Sequence, residues 1–123
     1  MYGDSSQIKR RTDQLRDRGT ELTALADRLV ARTESVGWRG RAADALHGRI
    51  TERAATLRDL AGRHVGAADA LATHREAVDE AKDEIDTRQE RARRLIEDGR
   101  APDDLRPPPD GHRDWLALDL PGL

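Results

Sequence analysis

Apolar residues recur in two long helical registers separated by a short glycine-bearing segment. In the first register Ile8, Leu15, Leu22, Leu29 and Val36 stand seven apart, and Thr12, Gly19, Ala26 and Thr33 fill a second column four residues further on. Spacings of three and four keep both columns on one face of an α-helix, and the column of small residues lets a second helix approach closely. Asp4 followed by Gln7 resembles a capping box, and Gly37 is suited to the left-handed end of a helix, so helix 1 is expected over about 4–36. Gly19 costs such a helix up to about 1 kcal/mol relative to Ala, which predicts that it faces a crowded contact.

The second register is longer. Ala43, Ile50, Leu57, His64, Leu71, Val78, Ile85 and Ala92 form one column, and Leu46, Arg53, Leu60, Ala67, His74, Ala81, Arg88 and Leu95 the other. No proline falls between residues 41 and 98, so helix 2 is expected over about 41–98 with a turn at 37–40. An unbroken helix of that length would reach about 85 Å, and helix 1 covers little more than half of it. Either the distal half finds a partner in another chain, or the helix breaks near Gly62 and Gly66 and folds back. The register passes through both glycines without a shift, which favours the partner. The seam with that partner is assigned to Leu15, Leu22, Leu29, Leu57, Leu60, Leu71, Val78 and Ile85.

Beyond Gly99 the pattern changes. Pro102, Pro107, Pro108, Pro109 and Pro121 exclude a continuing helix, and residues 99–123 read as an extended, flexible tail with polyproline II character at Pro107–Pro109. The tail nevertheless ends in Trp115-Leu116-Ala117-Leu118-Asp119-Leu120, an apolar cluster with two readings. It either folds back to cap the apolar seam of the helices or serves as a linear docking motif.

Composition narrows the range of functions. The 123 residues fit one domain, and with no Phe, one Tyr and two Trp the core must be built from Leu, Ile, Val and Ala. Charged residues make up 37% of the chain, as expected of solvated helices with narrow apolar seams. A net charge of -2 supplies no global field for nucleic acid, and Lys9-Arg10-Arg11 reads as one solvated helical turn. The absence of Cys removes thiol nucleophiles and Cys-ligated zinc. No run approaches the roughly twenty apolar residues that span a bilayer, so no stable membrane insertion is expected. Met1-Tyr2-Gly3-Asp4 lacks a basic region followed by an apolar one, so any export is expected to use another route.

The segment joining the two registers is Val36-Gly37-Trp38-Arg39-Gly40-Arg41-Ala42-Ala43-Asp44-Ala45-Leu46. Trp-x-Gly between two heptad helices, followed by an Ala-rich start to the second, resembles the WXG family of type VII (ESX) secretion substrates over residues 4–98. The resemblance implies an all-α fold, an antiparallel helix-turn-helix hairpin that pairs with a second hairpin into a four-helix bundle. It implies as partners a second copy or a neighbour-encoded relative, an exported effector or toxin, and the type VII export ATPase, with passage from the cytoplasm to the cell surface or medium. Trp38 and Gly40 are the turn motif, Trp38 covering the hairpin end or offering its ring to a partner, and Gly40 giving the helix ends room. The family's export address, Tyr-x-x-x-Asp/Glu after helix 2, is absent because the only tyrosine is Tyr2. Trp115 and Asp119 offer an aromatic and a carboxylate at the same spacing, which would share a face if the segment became helical on docking.

Other chemistries leave weaker traces. His64 and His74 sit at seam positions but lie roughly 15 Å apart along a helix, too far to share an ion. As buried imidazoles they would oppose assembly when protonated. Asp44 and His47 lack identifiable companion ligands, and Glu76, Asp79, Glu80, Asp83, Glu84 and Asp86 read as a solvated helix face, not paired catalytic acids. The expectation is therefore a non-enzymatic interaction protein with no cofactor or metal. The rival is an intracellular coiled-coil adaptor or structural protein without a secretion role.

Overall fold

The computed structural model describes residues 5–37 and 39–123. It is all-helical, with α1 over Ser5–Val36 and α2 over Arg41–Glu97, followed by a single 3-10 turn over Arg113–Leu116. The described residues contain no strand. Gly37 ends α1 at φ 71° and Gly40 precedes α2 at φ 108°, both backbone conformations that an L side chain resists. The Asp44 amide donates to the Gly40 carbonyl at 2.9 Å, closing the first turn of α2. Among the described residues a Cβ at Gly40 would meet nothing within 4 Å, so no crowding there requires the glycine. Its positive φ is the constraint. Trp38 and the Asp4 cap lie outside the described residues.

Contacts divide the described residues into two compact units, Ile8–Ala72 and Thr73–Leu123 together with residues 5–7. In the first unit α1 and α2 pack as an antiparallel hairpin along a line of small residues. Thr12, Gly19 and Ala26 are buried on α1, and Ala54, Ala61 and Ala68 on α2, each set spaced by seven. A Cβ on Gly19 would lie 3.1 Å from Val65 Cγ2 and 3.3 Å from the Ala61 carbonyl oxygen. This is the crowded contact that the mid-helix glycine implies. The Thr12 hydroxyl donates to the Ile8 carbonyl at 2.9 Å, so its burial leaves no orphan polar atom.

The alanine column on α2 belongs to neither heptad column read from the large residues. Closest approach selects the smallest side chains, and the leucines are displaced to the flank. Gly62 and Gly66 are not packing sites either, because a Cβ at each would meet open space. The helix runs through both without interruption.

In the second unit the tail does not stand free as an extended segment: it packs on α2, the fold-back alternative for its apolar cluster. The helix first closes with Gly99 at φ 71°, the Arg100 amide on the Leu95 carbonyl at 2.9 Å and the Gly99 amide on the Ile96 carbonyl at 3.1 Å. This paired arrangement satisfies the last carbonyls and turns the chain away. Residues 102–123 then proceed through short turns to Trp115, which is 3% exposed and clusters with Ile85 and Ala92, with Leu116, Leu118 and Leu123 packed around them. Ala92 matters because a small residue one heptad from Ile85 leaves room for the indole. The distal column of α2 therefore takes an occupant from its own chain, where a partner chain was expected.

Candidate functional site

On one side of the small-residue line in the hairpin, the larger apolar residues stay partly open to solvent. Leu15, Leu22 and Leu29 on α1 and Leu57 and Leu71 on α2 are half-buried, while Leu25 and Leu60 are 40% and 38% exposed. Helical geometry places all of them to the same side of the Gly19–Ala61 contact. Leu22, Leu25, Leu60 and His64 line an open groove of about 640 Å³, edged by Arg18, Glu21 and Arg28. Nearer the turn, Val36, Leu46 and Ile50 line a second hollow of about 410 Å³ that Arg32 borders. Leu25, Arg28, Leu29 and Arg32 line a third between them, so the apolar face is continuous along the hairpin.

The other side of the hairpin carries interhelical ion pairs beside the exposed Val65. Asp27 accepts from Arg58 at 3.0 Å, and Arg16 lies 3.5 Å from Asp69, each pair tying α1 to α2. All four side chains are about half exposed or more, so these pairs fix register more than they stabilise. One hairpin thus carries a polar flank and an apolar flank.

The sequence-assigned seam residues divide accordingly. Leu15, Leu22, Leu29, Leu57, Leu60 and Leu71 lie on the accessible flank. Val78 and Ile85 do not, being 3% and 1% exposed within the second unit. Ile85 is covered by the tail's own Trp115, so it is removed from any surface a partner could reach in this conformation.

Trp115 and Asp119 are placed apart in environment. Trp115 belongs to the 3-10 turn Arg113–Leu116, whereas Asp119 lies beyond it and is exposed, so the two do not share a helical face. The indole Nε1 donates to the Pro109 carbonyl at 2.9 Å. Arg88 Nε and Nη2 donate to the Trp115 and Leu118 carbonyls, each at 2.6 Å, and Gln89 donates to Asp110 while accepting from the Gly111 amide. Arg88 thus holds two backbone carbonyls of the tail, and Gln89 the Gly111 amide and the Asp110 carboxylate. Sequence reasoning missed both as tail anchors. Their signal was present, because positions 85, 88, 89 and 92 form one helical stripe.

The histidines do not form a buried pair. His74 is exposed, and His64 is half-buried with Nδ1 2.8 Å from the Leu60 carbonyl, where it donates as the Nδ1–H tautomer. The protonation switch expected of two buried imidazoles therefore lacks its structural basis. Asp44 and His47 border the hollow near the turn, and the described residues hold no group of three or more His, Cys, Asp or Glu arranged to bind a metal. Among the titratable groups, Glu90 is held below its ordinary carboxylate value by hydrogen bonds from Arg93 at 2.7 Å, and Arg93 is raised by the same contact. Arg93 is exposed and Glu90 partly so, and both belong to the solvated face of α2.

Comparison with models of known protein families, with curated proteins and with solved structures gives no match for this chain.

Proposed function

We propose that the protein is a WXG-like helical hairpin associated with type VII secretion, acting as an exported substrate or as the pairing and targeting partner of an exported effector. The observation that supports this reading best is the accessible leucine flank on a hairpin of closely packed helices joined through Gly37 and Gly40. The buried apolar residues of this hairpin are alanines, its leucines stay accessible, and a second hairpin laid on the leucine flank completes a four-helix bundle. The partner is a second copy or a neighbour-encoded relative, and pairing requires no catalysis, cofactor or metal.

The export step needs a signal, for which Trp115 and Asp119 are the candidates. With Trp115 buried against Ile85, only Asp119 is open to a reader in the docked state. The export ATPase would have to read the tail after it leaves α2. The docked tail also favours the second reading, a coiled-coil adaptor with no secretion role, in which Trp115 serves only to cap α2.

Secretion separates the two readings. In a host with an intact type VII system, the protein should reach the medium in wild-type cells and stay in the cytoplasm when the export ATPase is deleted. Replacement of Trp115 and Asp119 together by Ala should block release. ATPase-independent distribution would leave the adaptor reading in place, and unchanged export of the double variant would remove these two residues as the signal.

A further inference from the structure

The leucine flank has a charge character that selects among partners. Arg18, Arg28 and Arg32 edge it, against two carboxylates, Glu21 in the central groove and Asp44 at the hollow near the turn. Among the described residues none of the three arginines has an ion-pair partner, in contrast to Arg16 and Arg58 on the opposite flank. The asymmetry extends along the chain. Residues 8–72 hold 13 Lys and Arg against 9 Asp and Glu, and residues 73–123 hold 9 against 14.

We infer that the leucine flank is the docking face for a different chain, an amphipathic helical segment whose apolar seam is bordered by Asp and Glu. Association buries Leu22, Leu25 and Leu60 and brings carboxylates to Arg18, Arg28 and Arg32, so apolar contact supplies adhesion and the arginines supply orientation and choice. A second copy is a poor occupant on two counts. Face-to-face pairing sets the arginine edge against its own like charge. The acidic stretch of another copy carries charge of the right sign but no apolar seam, because Ile96 is the one large hydrophobic residue exposed among the described residues beyond Ala72.

This inference rests on the pairing reading above and sharpens it to a heterotypic partner of acidic character. Its test uses the full chain and synthetic amphipathic helices four heptads long, identical in their leucine seam and bearing either Glu or Lys at the flanking positions. Fluorescence anisotropy should show the Glu peptide binding at least tenfold more tightly than the Lys peptide, with an affinity that falls as salt is raised. Arg28→Glu combined with Arg32→Glu should reverse the preference, while Arg106→Glu, on the exposed tail, should leave it intact.

Equal binding of both peptides would overturn the charge inference alone, provided that Leu25→Asp with Leu60→Asp abolishes binding. Binding that survives the double leucine change would overturn the docking face itself. A chain that sediments as a dimer and becomes monomeric on Leu25→Asp would assign the face to a second copy and overturn the heterotypic partner. Binding to phosphatidylglycerol vesicles with no binding to the Glu peptide would overturn it in favour of an anionic membrane.

Discussion

The hairpin and the distal unit use α2 in opposite ways. Along the hairpin the buried residues are Ala54, Ala61 and Ala68, so the helices approach until Gly19 is nearly in contact with the Ala61 backbone, and the leucines are left at the margin. Around Ile85 the buried set includes a tryptophan, and a proline-rich tail is held by Arg88 and Gln89 instead of by a second helix. Small residues give closeness without covering the large ones. Large residues with side-chain hydrogen bonds to backbone give coverage without a second helix. The difference explains why one apolar face of the same helix is accessible while the other is closed.

The contrast is most severely strained by removing the tail's anchor. Trp115→Ala should cost about 3–5 kcal/mol in the distal unit, the range for truncating a buried aromatic, and should release the tail from α2. Amide exchange will show it as lost protection at residues 105–123, with residues 8–72 unaffected. Arg88→Met retains much of the aliphatic stem but leaves the Trp115 and Leu118 carbonyls without their donor, at a cost of about 2–3 kcal/mol by denaturant titration.

In the hairpin the sensitive position is a glycine. Gly19→Leu forces the helices apart and should cost about 1–3 kcal/mol. Gly62→Ala has open space around it and should stabilise the helix by up to about 1 kcal/mol, and paired thermal melts of the two variants separate a crowded glycine from an uncrowded one. The smallest effect belongs to Glu90. Its folded-state pKa is depressed by Arg93, so its contribution is present above the ordinary glutamate pKa and fades as pH falls through the lower folded value. Because the pair is open to solvent, Glu90→Gln should not measurably shift the unfolding midpoint between neutral pH and pH 3.

Much of this was legible in residue order. The extents of both helices follow from uninterrupted periodicity between glycines, and Gly19 in the middle of a helix signalled its tight contact. The alanine column was not legible, because reading heptads from the largest residues assumes that they fill the interface. In a narrow hairpin the smallest residues do so instead. The tail was half legible: its prolines exclude a continuing helix and its apolar cluster allows folding back on the helices, but the anchors Arg88 and Gln89, on α2, carry no mark of that role in the tail's own sequence. Of the assigned seam, six leucines remain on the accessible flank and Val78 and Ile85 are enclosed, Ile85 beneath Trp115.

Solvent access to side chains tests this contrast most directly. With a soluble paramagnetic agent added to the full chain, the methyl resonances of Leu25 and Leu60 should broaden strongly while the Ile85 methyls and the Trp115 indole N–H remain sharp. Broadening at Ile85 and Trp115 equal to that at Leu25 would show that the tail does not close the distal face, and would contradict the account.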